Sequence, residues 1–116
     1  MNVSRGDVAL ARFPHASGGR GKKRPVVVVQ AEAYNQTLRH AIVAEVTTNL
    51  ISDPANLTID VSTDDGRATG VAQDSAVTCL HLATMGEERL SKVIGQLSTE
   101  MMAKLDGCLK AALALS

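Results

Sequence analysis

Arg24 ends a run of residues with evident chemical potential: Gly18-Gly19-Arg20-Gly21-Lys22-Lys23-Arg24-Pro25, leading directly into Val26-Val27-Val28-Val29-Gln30. Four β-branched valines in succession predict a buried strand. Pro25 donates no N–H and pushes its predecessor towards extended backbone, so the strand is predicted over Pro25–Gln30. Arg24 then stands where a basic, glycine-rich loop meets a rigid scaffold. A guanidinium fixed there can donate two parallel hydrogen bonds to phosphate oxygens. The loop does not fit the nucleotide-binding pattern G-x-x-x-x-G-K-[ST]: Ala16 stands at the first glycine position and Lys23 at the hydroxyl position.

Charge is distributed unevenly around this loop. The formal net charge is zero, which argues against an indiscriminate nucleic-acid coat. Six of the 12 basic residues (Arg5, Arg12, Arg20, Lys22, Lys23, Arg24) nevertheless fall in the first 24 positions beside one acid, Asp7, whereas Asp53, Asp60, Asp64 and Asp65 make the middle acidic. Such a dipolar chain favours an anionic partner at one face; the plainer alternative is a solvated loop that aids solubility. Cys79 and Cys108 lie far apart, and His15, His40 and His81 are scattered. These spacings predict reduced thiols in a cytosolic core, no metal site and no cofactor. No secretory h-region or transmembrane run is present, so the expected location is the cytoplasm, and the N-x-[ST] matches at Asn2, Asn35 and Asn56 are accidental.

The elements that must position Arg24 follow from periodicity. At 116 residues the chain predicts a single domain spanning 1–116. Gly6–Phe13 reads as a first strand, and Pro14–Arg24 as a loop long enough to suggest function. After the valine strand, Tyr34-Asn35-Gln36 is assigned to a connection. Ala41–Thr47 reads as a third strand, left through Thr47-Thr48-Asn49, whose side chains suit a turn. Leu57–Val61 alternates as a half-exposed strand, Asp64-Asp65-Gly66 signals a turn, and Ser75–Leu80 is a fifth strand. A helical turn at Glu87–Leu90 and a last strand at Val93–Leu97 precede a helix capped by Ser98, with Glu100 in its first turn. Met101, Met102, Leu105, Cys108, Leu109, Ala112 and Leu113 form its apolar stripe, and Gly107 lies off it. The pattern is α+β: a small, mostly antiparallel barrel with a C-terminal helix.

Taken in order, Arg5-Gly6-Asp7-Val8, Arg24-Pro25 with the valines, Tyr34-Asn35, Ala41–Thr47, Gly70-Val71 with Asp74-Ser75, Glu88-Arg89-Leu90, Ile94-Gly95-Gln96-Leu97-Ser98 and the final helix resemble the MazF/PemK (Kid) family of toxin endoribonucleases from bacterial toxin–antitoxin modules. The likeness spans Arg5 to Leu115. It implies an SH3-like barrel that forms a homodimer, metal-independent and sequence-specific cleavage of single-stranded RNA, and inhibition by a cognate antitoxin. The family's arginine of the R-P motif is Arg24 here, and the threonine that closes the third strand is Thr47. In the cleavage that this implies, the 2′-OH attacks phosphorus to leave a 2′,3′-cyclic phosphate and a 5′-OH. The guanidinium would stabilise the phosphoryl charge and the hydroxyl would position an oxygen. Expected RNA contacts are His15, Arg20, Lys22, Lys23, Thr48 and Asn49. Where PemK-type members carry an Arg and an Asp on the fifth strand, this chain has Thr78 and Leu80, and Ala83 replaces a further Arg. The general base is therefore unassigned. His15 is the available near-neutral group, whereas His81, one step along the strand from Leu80, is expected on the opposite side.

Two other readings compete. A non-catalytic relative would bind a protein, as the gyrase-poisoning CcdB branch does. An SH3-like interaction module would carry the basic loop as decoration. The low aromatic content, with only Phe13 and Tyr34, leaves little for base stacking, so RNA binding is expected to rest on phosphate and base-edge contacts and to weaken with salt.

Overall fold

The valine run lies at the centre of the molecule, buried on both sides. Val26 and Val28 pack on one face of a sheet with Ala9, Ala11, Ala41, Val43 and Met85, while Val27 and Val29 pack on the other with Val8, Val46, Ile59, Val77 and Leu105. The chain is described by a computed structural model covering residues 1–12 and 23–116. Its strands are β1 (Asp7–Ala11), β2 (Arg24–Val28), β3 (His40–Thr47), β4 (Asn56–Ile59), β5 (Ser75–Gly86) and β6 (Lys92–Gln96). Its helices are α1 (Glu32–Thr37), α2 (Asp64–Ala68) and α3 (Thr99–Leu113), with a 3₁₀ turn at Glu87–Arg89.

Every strand pairing is antiparallel, in the order β4-β5-β3-β2-β1-β6. Residues of β1 to β5, together with Leu97 just past β6, meet α3 in one cluster. A flat sheet with strands about 4.8 Å apart would be too wide for one helix to reach both ends, so the sheet curls into a half-barrel around α3. This is the expected α+β architecture of antiparallel strands and a C-terminal helix.

Ser98 caps α3 by accepting a hydrogen bond from the Met101 amide at 3.2 Å. Met101, Leu105 and Cys108 of the expected stripe are buried, but Leu113 is exposed where the helix ends in a left-handed cap at Ala114. Gly70, with φ +79°, packs so tightly on β6 that a Cβ would meet the Ile94 carbonyl oxygen, so both its conformation and its surroundings require glycine. No helix among the described residues is long and apolar enough to cross a membrane.

Several boundaries differ from expectation. Tyr34-Asn35-Gln36 is helical in α1 because fully buried Asn35 donates to the Gln30 carbonyl (3.1 Å) and to Glu32 Oε1 (2.9 Å), while Gln30 Nε2 donates to Asn35 Oδ1 (3.0 Å). Asp64-Asp65-Gly66 opens α2 under a Thr63 cap instead of making a simple turn. β5 continues to Gly86, six residues past the expected end, because its second half pairs with the first half of β3.

Candidate active site

Arg24 is the first residue of β2 and Thr47 the last of β3. The β2–β3 register pairs Val26 with Glu45; continued outward by two residues, it brings Arg24 level with Thr47 on the same face of the sheet. Further along that face, Glu45 of β3 is level with Thr78 of β5, which is level with Asn56 of β4. A cavity of about 200 Å³ opens over this row, lined by Glu45, Thr47, Asn49, Asp53, Asn56, Thr78, Leu80 and His81 among others.

Glu45 is the centre of the row. Its side chain is only 10% exposed, and its two oxygens serve different partners: Oε1 lies 3.8 Å from Arg24 Nη1, and Oε2 lies 2.9 Å from His81 Nδ1. A buried carboxylate is tolerable when paired in this way. The Arg24 side chain is 44% exposed and pairs with this carboxylate by charge at 3.8 Å, beyond hydrogen-bond distance.

The position of His81 corrects the expectation of simple alternation. Ala44 pairs with Leu82 but the next residue, Glu45, pairs with Thr78, so Cys79, Leu80 and His81 are inserted in β5 without partners on β3. Val77 and Cys79 face α3, Thr78 and Leu80 face the cavity, and then His81 faces it too before Leu82 returns to the α3 side. A bulge of this kind re-aims a side chain by breaking the two-residue period. Leu80 and His81 thereby share one cavity.

Smaller contacts complete the wall. Thr47 Oγ1 accepts from the Asn49 amide (3.1 Å) and so holds the strand exit closed over the cavity, as turn chemistry predicts. Thr78 Oγ1 accepts from the Leu80 amide (3.3 Å) inside the bulge. Asn56 donates to the Ile51 carbonyl (3.0 Å), but its Oδ1 is buried without a hydrogen-bond partner.

Of the residues expected to act, Thr47 and Asn49 line the cavity, and Arg24 meets its wall through Glu45, 3.8 Å away. Thr48 is exposed beside them but does not line the cavity. Lys23 lies in a separate depression with Arg12, Glu88 and Arg89. His15, Arg20 and Lys22 lie outside the described residues. Tyr34 lines a different cavity with His40 and Ile42. Sequence reasoning gave no role to Glu45, although an acid inside Ile42-Val43-Ala44-Glu45-Val46 was a signal: a carboxylate in a two-sided apolar strand needs a buried partner. Among the described residues, no three His, Cys, Asp or Glu side chains are arranged to hold a metal ion.

With this geometry established, comparison with known proteins gives a consistent answer. The family model of the PemK-like, MazF-like toxin of type II toxin–antitoxin systems matches residues 4–113. Endoribonuclease EndoA of Bacillus subtilis is 36% identical over 116 residues, covering 99% of this chain and 97% of that protein. Endoribonuclease MazF6 of Mycobacterium tuberculosis is 28% identical over 119 residues, covering 99% and 100%. Among solved structures, Mycobacterium tuberculosis toxin MazF-mt6 superposes with a TM-score of 0.78 at 23% identity, covering 95% of this chain and 98% of that one. An endoribonuclease in complex with its cognate antitoxin, from a mycobacterial species, superposes at 0.77 with 20% identity, covering 97% and 95%. At those identities the two structures attest the fold.

Proposed function

Since the chain belongs to the family of PemK-like, MazF-like toxins of type II toxin–antitoxin systems, we propose that it cuts single-stranded RNA without a metal ion, by attack of the 2′-OH on the adjacent phosphorus. Endoribonuclease activity comes with the family; the 2′-OH chemistry is what the resemblance implies, and the residue types at the site are compatible with it. The observation that supports it is that antiparallel register sets Arg24 and Thr47 level on one face, with Thr47 lining the cavity and Arg24 paired at 3.8 Å to Glu45 in its wall.

The nucleophile belongs to the substrate, so the protein has to position a phosphodiester and stabilise the charge that gathers on its oxygens. Arg24 supplies a permanent positive charge and a fork of donors on the solvent side of Glu45. Thr47 supplies a hydroxyl that can donate to a phosphate oxygen while still accepting from Asn49. Asn49, exposed at the cavity, provides base-edge donors and an acceptor. Lys23 and Arg12, with His15, Arg20, Lys22 and Thr48, attract the strand and track its backbone.

A cognate antitoxin is the natural protein partner. Leu50, Ile51 and Leu80 are exposed around the RNA cavity and would be covered by its chain. We also assign a homodimer and a cytoplasmic setting, where RNA substrates are found.

The test is incubation of the protein with a long, end-labelled single-stranded RNA in EDTA, beside Arg24→Ala. Discrete cuts with cyclic-phosphate ends that require Arg24, and that vanish when the nucleotide 5′ of the mapped cut is made 2′-deoxy, are expected. Cutting that survives the 2′-deoxy substitution would refute the 2′-OH route. Cutting that survives Arg24→Ala would refute the site.

A further inference from the structure

The unassigned role in this chemistry is the proton acceptor for the 2′-OH. We propose that His81 is that general base and that Glu45 is its positioning residue; the inference rests on the nuclease reading above. Three groups that could take a proton line the cavity among the described residues: Glu45, Asp53 and His81. Glu45 is nearly buried, and its two oxygens are committed to Arg24 and His81. Asp53 Oδ1 accepts from the Ala55 amide at 2.8 Å and fixes the approach to β4.

His81 differs on each count. Its Nδ1 is held 2.9 Å from Glu45 Oε2, its ring is 62% exposed, and Nε2 has no protein partner among the described residues. In the neutral ring a carboxylate at Nδ1 keeps the proton there, leaving the Nε2 lone pair directed outward. Among the described residues, the charged groups near the ring are Glu45 of β3, Arg24 across the same carboxylate from β2, and Asp53 from the β3–β4 connection. The three-residue insertion that departs from strand pairing presents this ring to the cavity.

The step balances as follows. Nε2 takes the 2′-OH proton as the O2′–P bond forms. The P–O5′ bond breaks with its electron pair on O5′, which takes a proton from water. The imidazolium, stabilised by Glu45, returns its proton to water. No net proton, oxidant or co-reactant is needed.

The test is single-turnover cleavage of a short RNA carrying one mapped cut, in EDTA and across pH, by the native protein, His81→Ala, Glu45→Gln and Arg24→Ala. For the native protein the rate should rise through the window of about pH 5–8 in which imidazoles lose their proton. His81→Ala should lose at least about 100-fold in rate with RNA binding nearly unchanged, and should lose that rising limb. Added imidazole should restore part of the rate in proportion to its neutral form, a rescue that a structural role would not give. Glu45→Gln should lose more than about tenfold, because a carboxamide can hold the wrong tautomer. If His81→Ala keeps the native rate and limb while Arg24→Ala is dead, the base assignment falls and the nuclease reading stands. If the His81→Ala rate falls without loss of the limb or imidazole rescue, His81 is structural and the assignment is likewise overturned. If the native protein cuts no RNA, both readings fall.

Discussion

Removing the Arg24 guanidinium should separate two effects that the wild-type site combines. In Arg24→Ala, Glu45 keeps only His81 as a side-chain partner among the described residues. The raw Coulomb energy of unit charges 3.8 Å apart is about 4 kcal/mol at an effective dielectric constant of ~20. Arg24 is 44% exposed, however, and solvent screening brings the net contribution to about 1 kcal/mol or less. The expected stability loss is therefore small. The expected catalytic loss is not: a donor aimed at developing phosphoryl charge contributes about 2.7–4 kcal/mol, or roughly 10²–10³ in rate. Adding Glu45→Gln removes the under-paired carboxylate. The double variant should recover the lost stability to within about 0.5 kcal/mol, since the two residues are coupled, but none of the cleavage. Urea unfolding measures the first quantity and single-turnover cutting of a mapped RNA the second. Arg24→Ala activity within about tenfold of native would refute charge stabilisation by Arg24. Recovery of cutting in the double variant would show that a displaced carboxylate, not a missing cation, had blocked the reaction.

Three further outcomes follow from the scaffold. Gly107→Ala should raise stability by about 1 kcal/mol in urea unfolding, since the position is exposed within α3 and a Cβ there meets nothing. Asn35→Ala should lower it by about 1–3 kcal/mol, because Gln30 Nε2 loses its buried acceptor at Asn35 Oδ1 and the link between α1 and the end of β2 is broken. Burial, reinforced by Cys108, pushes the Cys79 thiol from 9.0 up to about 12. The unfolded chain therefore loses a proton that the folded one keeps, and stability should fall as pH rises through that interval. Cys79→Val should remove part of the fall, and in the native state Cys79 should resist thiol reagents at pH values where the unfolded chain reacts.

The fold was legible wherever a residue's neighbours in sequence are also its determinants. The valine run marked a doubly buried strand, and its length alone told of cover on both faces. Ser98 and the stripe of α3 were readable because capping and 3.6-residue periodicity are local. Tyr34-Asn35-Gln36 was not readable as helix. Six residues do not sustain a helix alone, and what stabilises α1 is the link from Asn35 to Gln30, whose Nε2 in turn reaches the His40 carbonyl on β3. The second half of β5 was missed for the same reason: Leu82–Gly86 is a strand because β3 lies beside it.

The site divides along the same line. Arg24 was marked by the basic loop and Pro25, and Thr47 by the family resemblance; antiparallel pairing of their strands sets the two ends level. His81 was not marked, because a period-two rule carries it to the far side from Leu80, and no residue type in Cys79-Leu80-His81 announces the insertion. The shift is decided across the sheet. Thr78 is level with Asn56 on β4 as well as with Glu45 on β3, whereas Leu82 is level only with Ala44. β5 leaves one neighbour and keeps the other between these points, and the three unpaired residues fall at that change. The resulting bend brings an imidazole to Glu45, an acid placed in an apolar strand. The acid inside β3 and the histidine of the β5 insertion, neither given a role by periodicity, are therefore the residues that meet beside Arg24.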